Sequence, residues 1–251
     1  RKVVHTRLVG TDLGEMMFAL WVSLFGMVAR RSDVVSLVRK FHEQPQAPGL
    51  VLYLTGGCMQ LAPMLLTVPG ASRTVLELQV PYSQRSLRLL IDDEPAQYVS
   101  ADVARQLARQ AFLRAQELSG TAAADTEVGG RCLGLGCTAA LRSDPPKRGE
   151  HRCFLALHSA LGVWELELTL NKALNRSRAL EDEVVSRCAL VALAQQCGLS
   201  LLTGGEALDP VDPGSVEARA FWQLPSDDEA VSRKDAALLQ DEALLMRFTK
   251  H

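Results

Sequence analysis

Between residues 50 and 198, short apolar runs suited to strands alternate with helical patterns, and this alternation limits the chain more than any other feature. Leu50–Leu54 (LVLYL) reads as a buried strand ending in Thr55-Gly56-Gly57. A short helix containing Pro63 follows, then the turn Val68-Pro69-Gly70-Ala71-Ser72 and a strand over Thr74–Val80 that runs into Pro81-Tyr82-Ser83. Ser100 is placed to cap an amphipathic helix over 101–118, with Val103, Leu107, Ala111 and Leu118 near one stripe. Strands are then expected near 131–136, 153–158 and 162–169. The last two form a hairpin about Ala160-Leu161-Gly162, and a long helix spans 179–197. Strands interleaved with helices predict a three-layer α/β/α domain with a mixed sheet.

The flanks read differently. Residues 1–49 form a helical extension, in which Asp12 and Glu15 resemble a capping box. The run Met16–Ala29 (MMFALWVSLFGMVA) is apolar on every side and ends at Arg30-Arg31. At ~1.5 Å per residue its fourteen residues reach ~21 Å, short of the ~30 Å of a bilayer core. It is therefore read as a helix covered by its own core or by a partner, with an interfacial or membrane-embedded place inside a larger complex as the other reading. Ser32-Asp33 caps a second helix, and QPQAPG at 44–49 is a linker. Beyond Gly198 the segment 199–251 is read as an arm containing a helical stretch over 233–248.

Composition closes off some functions. With 27 Lys+Arg against 29 Asp+Glu, a net charge of −2 and only 5% aromatics, the chain lacks the basic, base-stacking surface of a general nucleic-acid binder. Its 47% hydrophobic content is ample for a buried core. The six cysteines (Cys58, Cys132, Cys137, Cys153, Cys188, Cys197) show neither a disulfide framework nor zinc-ligand spacing, and read as reduced, buried thiols. No metal or cofactor motif is placed correctly; Gly134-Leu135-Gly136 lacks the third glycine of a dinucleotide fingerprint. The sequence opens at Arg1 rather than Met, as removal of an organelle transit peptide or a truncation would leave it. An intracellular, reducing compartment is expected, the mitochondrion ahead of cytoplasm or plastid.

The ordered series Thr55-Gly56-Gly57, Val68-Pro69-Gly70-Ala71-Ser72, Tyr82-Ser83, Val99-Ser100 and Lys147-x-Gly149 resembles the CinA C-terminal domain family, over roughly 50–198. Active members of that family are nicotinamide mononucleotide amidohydrolases. The variant here looks most like the divergent eukaryotic branch, in which such a domain can precede a nucleotidylyltransferase domain; no such second domain is visible. The resemblance assigns the family's nucleophilic serine to the position of Tyr53 and its lysine to that of Leu87. A tyrosine cannot inherit the serine's place, and a leucine cannot relay a proton. The family's glycine-bearing loop corresponds to Thr138-Ala139-Ala140-Leu141-Arg142.

Catalysis by the family's route is therefore not expected. The residual candidates are Tyr82 and Thr138 for chemistry, and Thr55, Gly56, Gly57 and Lys147 for a ligand. Each has a plain alternative. Thr55-Gly56-Gly57 is either a phosphate cradle or a turn needing positive φ, and Tyr82 is either an acid or a half-buried packing residue. The loop Lys147-Arg148-Gly149-Glu150-His151-Arg152 either grips phosphate or is solvated. His151 and His158, with no carboxylate motif nearby, read as surface or strand packing, and Arg176, Arg178, Glu181, Asp182 and Glu183 as a solvated helix start.

The expected function is a catalytically degenerate domain serving as a structural or binding subunit of a larger, organellar and membrane-associated assembly. Its protein partners would be met through the 13–29 helix and the 199–251 arm. The alternative is a nucleotide amidohydrolase, a carbon–nitrogen amide hydrolase, acting on nicotinamide mononucleotide or a relative through a rearranged site of Tyr82, Thr138 and Lys147. A third reading keeps a nucleotide ligand without turnover.

Overall fold

A computed structural model describes residues 31–120, 132–197, 199 and 247–250. Its elements, in chain order, are α1 (Arg31–His42), β1 (Gly49–Thr55), α2 (Leu61–Leu66), β2 (Val75–Gln79), α3 (Gln84–Ile91), α4 (Ala101–Leu118), β3 (Cys132–Ala140), β4 (His151–Ser159), β5 (Gly162–Leu170), α5 (Arg178–Gln196) and β6 (Arg247–Lys250). The six strands lie in the order β2-β1-β3-β4-β5-β6. β1 is parallel to both β2 and β3, and the remaining pairs are antiparallel, so the sheet is mixed.

Alternation along the strands builds the three layers. Leu50, Leu52 and Leu54 of β1 face a core shared with α1, α2 and α5, while Val51 and Tyr53 face α3 and α4. The long helices are capped as their sequences predict: Ser100 accepts from the Val103 amide, Ser177 from that of Leu180 and Ser83 from that of Ser86. α4 lies directly on β3. A Cβ on Gly136 would overlap the Ala104 carbonyl oxygen and the Ala108 amide nitrogen, and one on Gly134 would overlap the backbone of Ala108 and Phe112. The two glycines that fall short of a dinucleotide fingerprint are thus a seat for a helix backbone.

Several boundaries differ from the sequence reading. α1, placed in an extension by sequence, packs Val34, Leu37, Val38 and Phe41 into the main core. His42 at its end, fully buried, donates through Nε2 to the Leu65 carbonyl (3.0 Å) and lies 2.6 Å through Nδ1 from the Thr74 hydroxyl. Leu118 is 42% exposed; the buried stripe of α4 runs instead through Val103, Ala104, Leu107, Ala108, Ala111, Phe112 and Ala115. β3 continues to Ala140, so Thr138–Ala140 belong to a strand and not to a loop, held there by pairing with β4 (Thr138 with Phe154, Ala140 with Arg152).

Residues 247–250 are a strand rather than the end of a helix over 233–248. They pair with the edge of β5, Phe248 opposite Leu166, an edge that would otherwise present unpaired backbone groups. The expected apolar helix over 13–29 and most of the 199–251 arm lie outside the described residues. Among the described residues, no helix is long and apolar enough to cross a membrane, and no group of His, Cys, Asp and Glu is arranged to hold a metal.

Candidate functional site

β1 lies between β2 and β3, both parallel to it; the β1–β2 connection packs α2 on one face of the sheet, and the β2–β3 connection packs α3 and α4 on the other. In open α/β sheets the carboxyl ends of such parallel strands are the usual ligand position. The sequence-predicted residues gather around this end, but most of their polar groups are already engaged.

At the turn after β1, the Thr55 hydroxyl donates to the Pro81 carbonyl (3.1 Å). Gly56 has φ +75°, and a Cβ there would overlap the Ala139 carbonyl oxygen; at Gly57 it would crowd Leu141 and Ala139. The Gly56 carbonyl accepts from Arg178 Nη2 at 3.0 Å. The glycines are therefore required by backbone conformation and by the close approach of β3, which is the turn reading of this motif.

On the α3/α4 face, Tyr53 and Leu87 fall in one buried apolar cluster with Val51, Ile91, Val103 and Leu107, each of the two only 3% exposed. The Tyr53 hydroxyl donates to Glu77 Oε1 at 3.2 Å. Burial, with the Glu77 charge beside it, pushes its phenol up to about 12. Glu77 also accepts from Arg114 (3.1 and 3.0 Å) and Gln79 (2.8 Å), so this carboxylate is the hub that ties β1, β2 and α4 together.

The residual chemical candidates do not converge. Tyr82, read as half-buried, is 67% exposed, because the chain turns outward there into the Ser83 cap of α3. The buried Thr138 hydroxyl donates to the Tyr98 carbonyl at 2.7 Å. Beside the end of β2 lies an open depression lined by Gln79, Val80, Pro81, Ser86, Leu89 and Leu90.

The α5 face of the same strand ends holds a polar cluster that the sequence reading missed. His151 is buried, and its Nδ1 lies 2.6 Å from Glu181 Oε1, while Glu181 Oε2 accepts from the Arg142 amide at 2.6 Å. The expectation that no carboxylate stands near His151 is thus corrected. So is the solvated helix start: Arg176, Glu181 and Asp182 are all buried, because the first turn of α5 meets β4 and the segment leading into α2. Asp182 accepts the amides of Met59 (3.1 Å) and Gln60 (2.9 Å), capping the approach to α2. A periodic signal was present: Glu181 stands four residues before Val185 and seven before Cys188, on a stripe that is otherwise apolar.

Around this pair the loop 141–150 is held by cations. Arg142 Nη1 donates to the Asn175 and Arg176 carbonyls, Arg178 Nη1 to the Arg142 carbonyl, and Lys172 Nζ to the carbonyls of Lys147, Arg148 and Gly149. Lys147 is partly buried. Burial lowers its ammonium from the usual lysine value; Glu181 opposes that effect, and Arg178, Lys172 and Arg152 add to it. The described cysteines are all free, and all are buried except the partly covered Cys197, as the sequence reading has them.

A mixed sheet with helices on both faces defines the broad class of three-layer α/β/α domains, which hosts many unrelated functions. More narrowly, the chain has a CinA-like fold. It is similar to the competence/damage inducible protein CihA from Agrobacterium tumefaciens, with a TM-score of 0.50 at 18% identity over 65% of this chain and 95% of that one. CinA superfamily proteins from Escherichia coli (TM-score 0.48, 11% identity, 68% of this chain and 91% of that one) and Klebsiella pneumoniae (0.49, 10%, 67% and 98%) are also similar. No protein-family model matches the chain, and no curated protein matches its sequence. The likeness is one of fold and does not bear on the eukaryotic branch.

Proposed function

We propose that this chain is a catalytically degenerate CinA-like domain that works as a structural or binding subunit of a larger assembly. The observation that carries the reading is the shared burial of Tyr53 and Leu87. The two positions that the resemblance assigns to nucleophile and lysine are neighbours in one cluster, and that cluster is apolar apart from a phenol committed to Glu77. A hydrolase needs a nucleophile beside a base, with room for a carbonyl. Here the space is filled. The rearranged amidohydrolase gains no support from Tyr82 and Thr138, one pointing to solvent and the other bonded to a backbone carbonyl.

A docking role is supported at the β2 side of the sheet. Val80 (43% exposed) and Leu89 (76% exposed) line the open depression, and exposed Tyr82 follows two residues after Val80. Membership of an organellar, membrane-associated assembly belongs to the same proposal, through the apolar 13–29 segment and the 199–251 arm.

Two measurements test it. The endogenous protein, extracted in mild detergent and followed by mass spectrometry across a native size separation, is expected to co-migrate with a much larger particle. Migration at the mass of the single polypeptide or a small multiple of it would overturn the subunit reading. Purified protein given nicotinamide mononucleotide is expected to release ammonia no faster than buffer; release abolished by Tyr82→Phe would restore the enzyme reading.

A further inference from the structure

The two edges of the sheet are finished differently. β5 is covered by residues 247–250, whereas β2 pairs with β1 alone, so among the described residues no strand covers its outer side. The segment Val75–Val80 (VLELQV) carries neither Lys nor Pro, residues that commonly blunt an edge. Its one charge, Glu77, is held by Arg114 of α4. The register with β1 shifts between Leu50 and Val51 and is regular from Glu77 to Gln79. Exposed apolar side chains gather along this edge: Leu76 and Val80 in the segment, Tyr82 just beyond it and Leu89 on α3. Pro81, with no N–H, ends the stretch able to pair.

We infer that this edge takes a second copy of the chain, β2 against β2 in antiparallel register about a two-fold axis at Leu78. The segment is self-complementary about that residue: Leu76 comes opposite Val80 of the copy, Glu77 opposite Gln79, and Leu78 opposite itself. A register centred one residue earlier sets Glu77 against Glu77, a like-charge pair, and one centred a residue later sets Glu77 opposite Pro81, which has no N–H to donate. The helices agree with this direction. α3 borders the carboxyl end of β2, and Ser119, just after α4, lies with Leu76 against Gly49 at its amino end. Antiparallel pairing therefore lays α3 of one copy beside the last turn of α4 of the other. Charges match there: α3 brings exposed Arg85 and Leu89, and the negative end of α4 brings exposed Glu117 and Leu118, twice by symmetry. The inference rests on the docking face described above and names its occupant, and the pairing joins two six-stranded sheets into one.

The test uses the purified full chain in mild detergent, which is expected to sediment as a dimer at about 10 μM. Val80→Lys puts one lysine at each end of the paired edge and should weaken dimerisation at least about tenfold. Leu161→Lys, at the exposed β4–β5 turn, should dimerise as the parent does. Register is read with a short bis-maleimide. A mixture of Leu76→Cys and Val80→Cys chains should give a cross-linked dimer and each variant alone far less, because like positions stand about 13 Å apart along the paired strands. The parent, whose described cysteines are buried or partly covered, is the blank. A parent that stays monomeric at about 100 μM, a folded Val80→Lys chain that dimerises as tightly as the parent, or cross-linking as strong in either single variant as in the mixture would each overturn the self-pairing. The cross-links decide the matter even if Val80→Lys fails to fold. A dimer that joins no larger endogenous particle would overturn the subunit reading and keep this one, and a monomer held in such a particle would do the reverse.

Discussion

Tyr53 on β1 donates its phenolic proton to Glu77 on the parallel strand β2 across 3.2 Å, at the position where the CinA family resemblance places a nucleophilic serine. The hydroxyl is therefore a cross-strand tie under α4. Tyr53→Phe removes one hydrogen bond and leaves Glu77 its Arg114 and Gln79 donors, so a loss of about 1 kcal/mol is expected in denaturant unfolding. Tyr53→Ser empties the volume of a buried ring and should cost about 3–5 kcal/mol. It should release no ammonia from nicotinamide mononucleotide, because Leu87 still supplies no lysine. Measurable turnover in Tyr53→Ser would show that the site retains its other parts.

The same phenol gives an alkaline signature. Folded Tyr53 holds its proton to about 12, whereas an unfolded tyrosine releases it near 10. The unfolded chain thus binds fewer protons in that window, and stability falls as pH rises from 10 toward 12. Unfolding midpoints measured across this range should fall less steeply in Tyr53→Phe than in the parent.

At the acid end the group to watch is His42. Burial holds it below the ordinary imidazole value, the Leu65 carbonyl bond opposes that shift, and Arg73 adds to it. Its stabilising contribution is complete above the unfolded value of about 6.5 and is lost as pH falls through the lower folded value. Protonation would also cost Nδ1 its role as acceptor from Thr74. A thermal midpoint that drops between pH 7.5 and 5, with a smaller drop in His42→Asn, is the expected result.

The glycines of β3 predict a sharp contrast with a glycine in the loop. Gly136→Ala must push α4 off the sheet and should cost about 1–3 kcal/mol or more. Gly149→Ala meets nothing within 4 Å and should stay within about 0.5 kcal/mol of the parent. Equal effects in urea unfolding would refute the direct seating of α4 on β3.

Thiol chemistry should report the fold. Cys58, Cys137 and Cys153 are fully buried and their thiols are raised by that burial, with the Cys137 and Cys153 sulfurs 3.6 Å apart. Burial raises the Cys197 thiol to about 12. A polar aromatic disulfide reagent at neutral pH should therefore find almost no thiolate until denaturant is added. Rapid native labelling of Cys137 would mean that β3 opens locally.

What the sequence made legible were features written in local chemistry. Ser100 and Ser177 mark helix starts with their own side chains, and the turn about Ala160-Leu161 is set by a two-residue loop in which Ser159 bonds Gly162 and Leu161. What stayed hidden depends on tertiary neighbours. Thr138 and Ala139 read as loop residues until β4 pairs with them, and Glu181 reads as a solvated acid until His151 of β4 and the Arg142 amide meet it. Gly134 and Gly136 give no local sign that a helix backbone will lie against them.

The return of residues 247–250 to the edge of β5 also has a consequence for how the molecule is made. Its sheet is completed by a strand that leaves the ribosome long after the β4–β5 hairpin it covers. Until then the hairpin carries a bare edge, which in a crowded cell invites pairing with another chain. Nascent chains stalled before residue 247 should need a chaperone at that edge, and release of residues 247–250 would end that need.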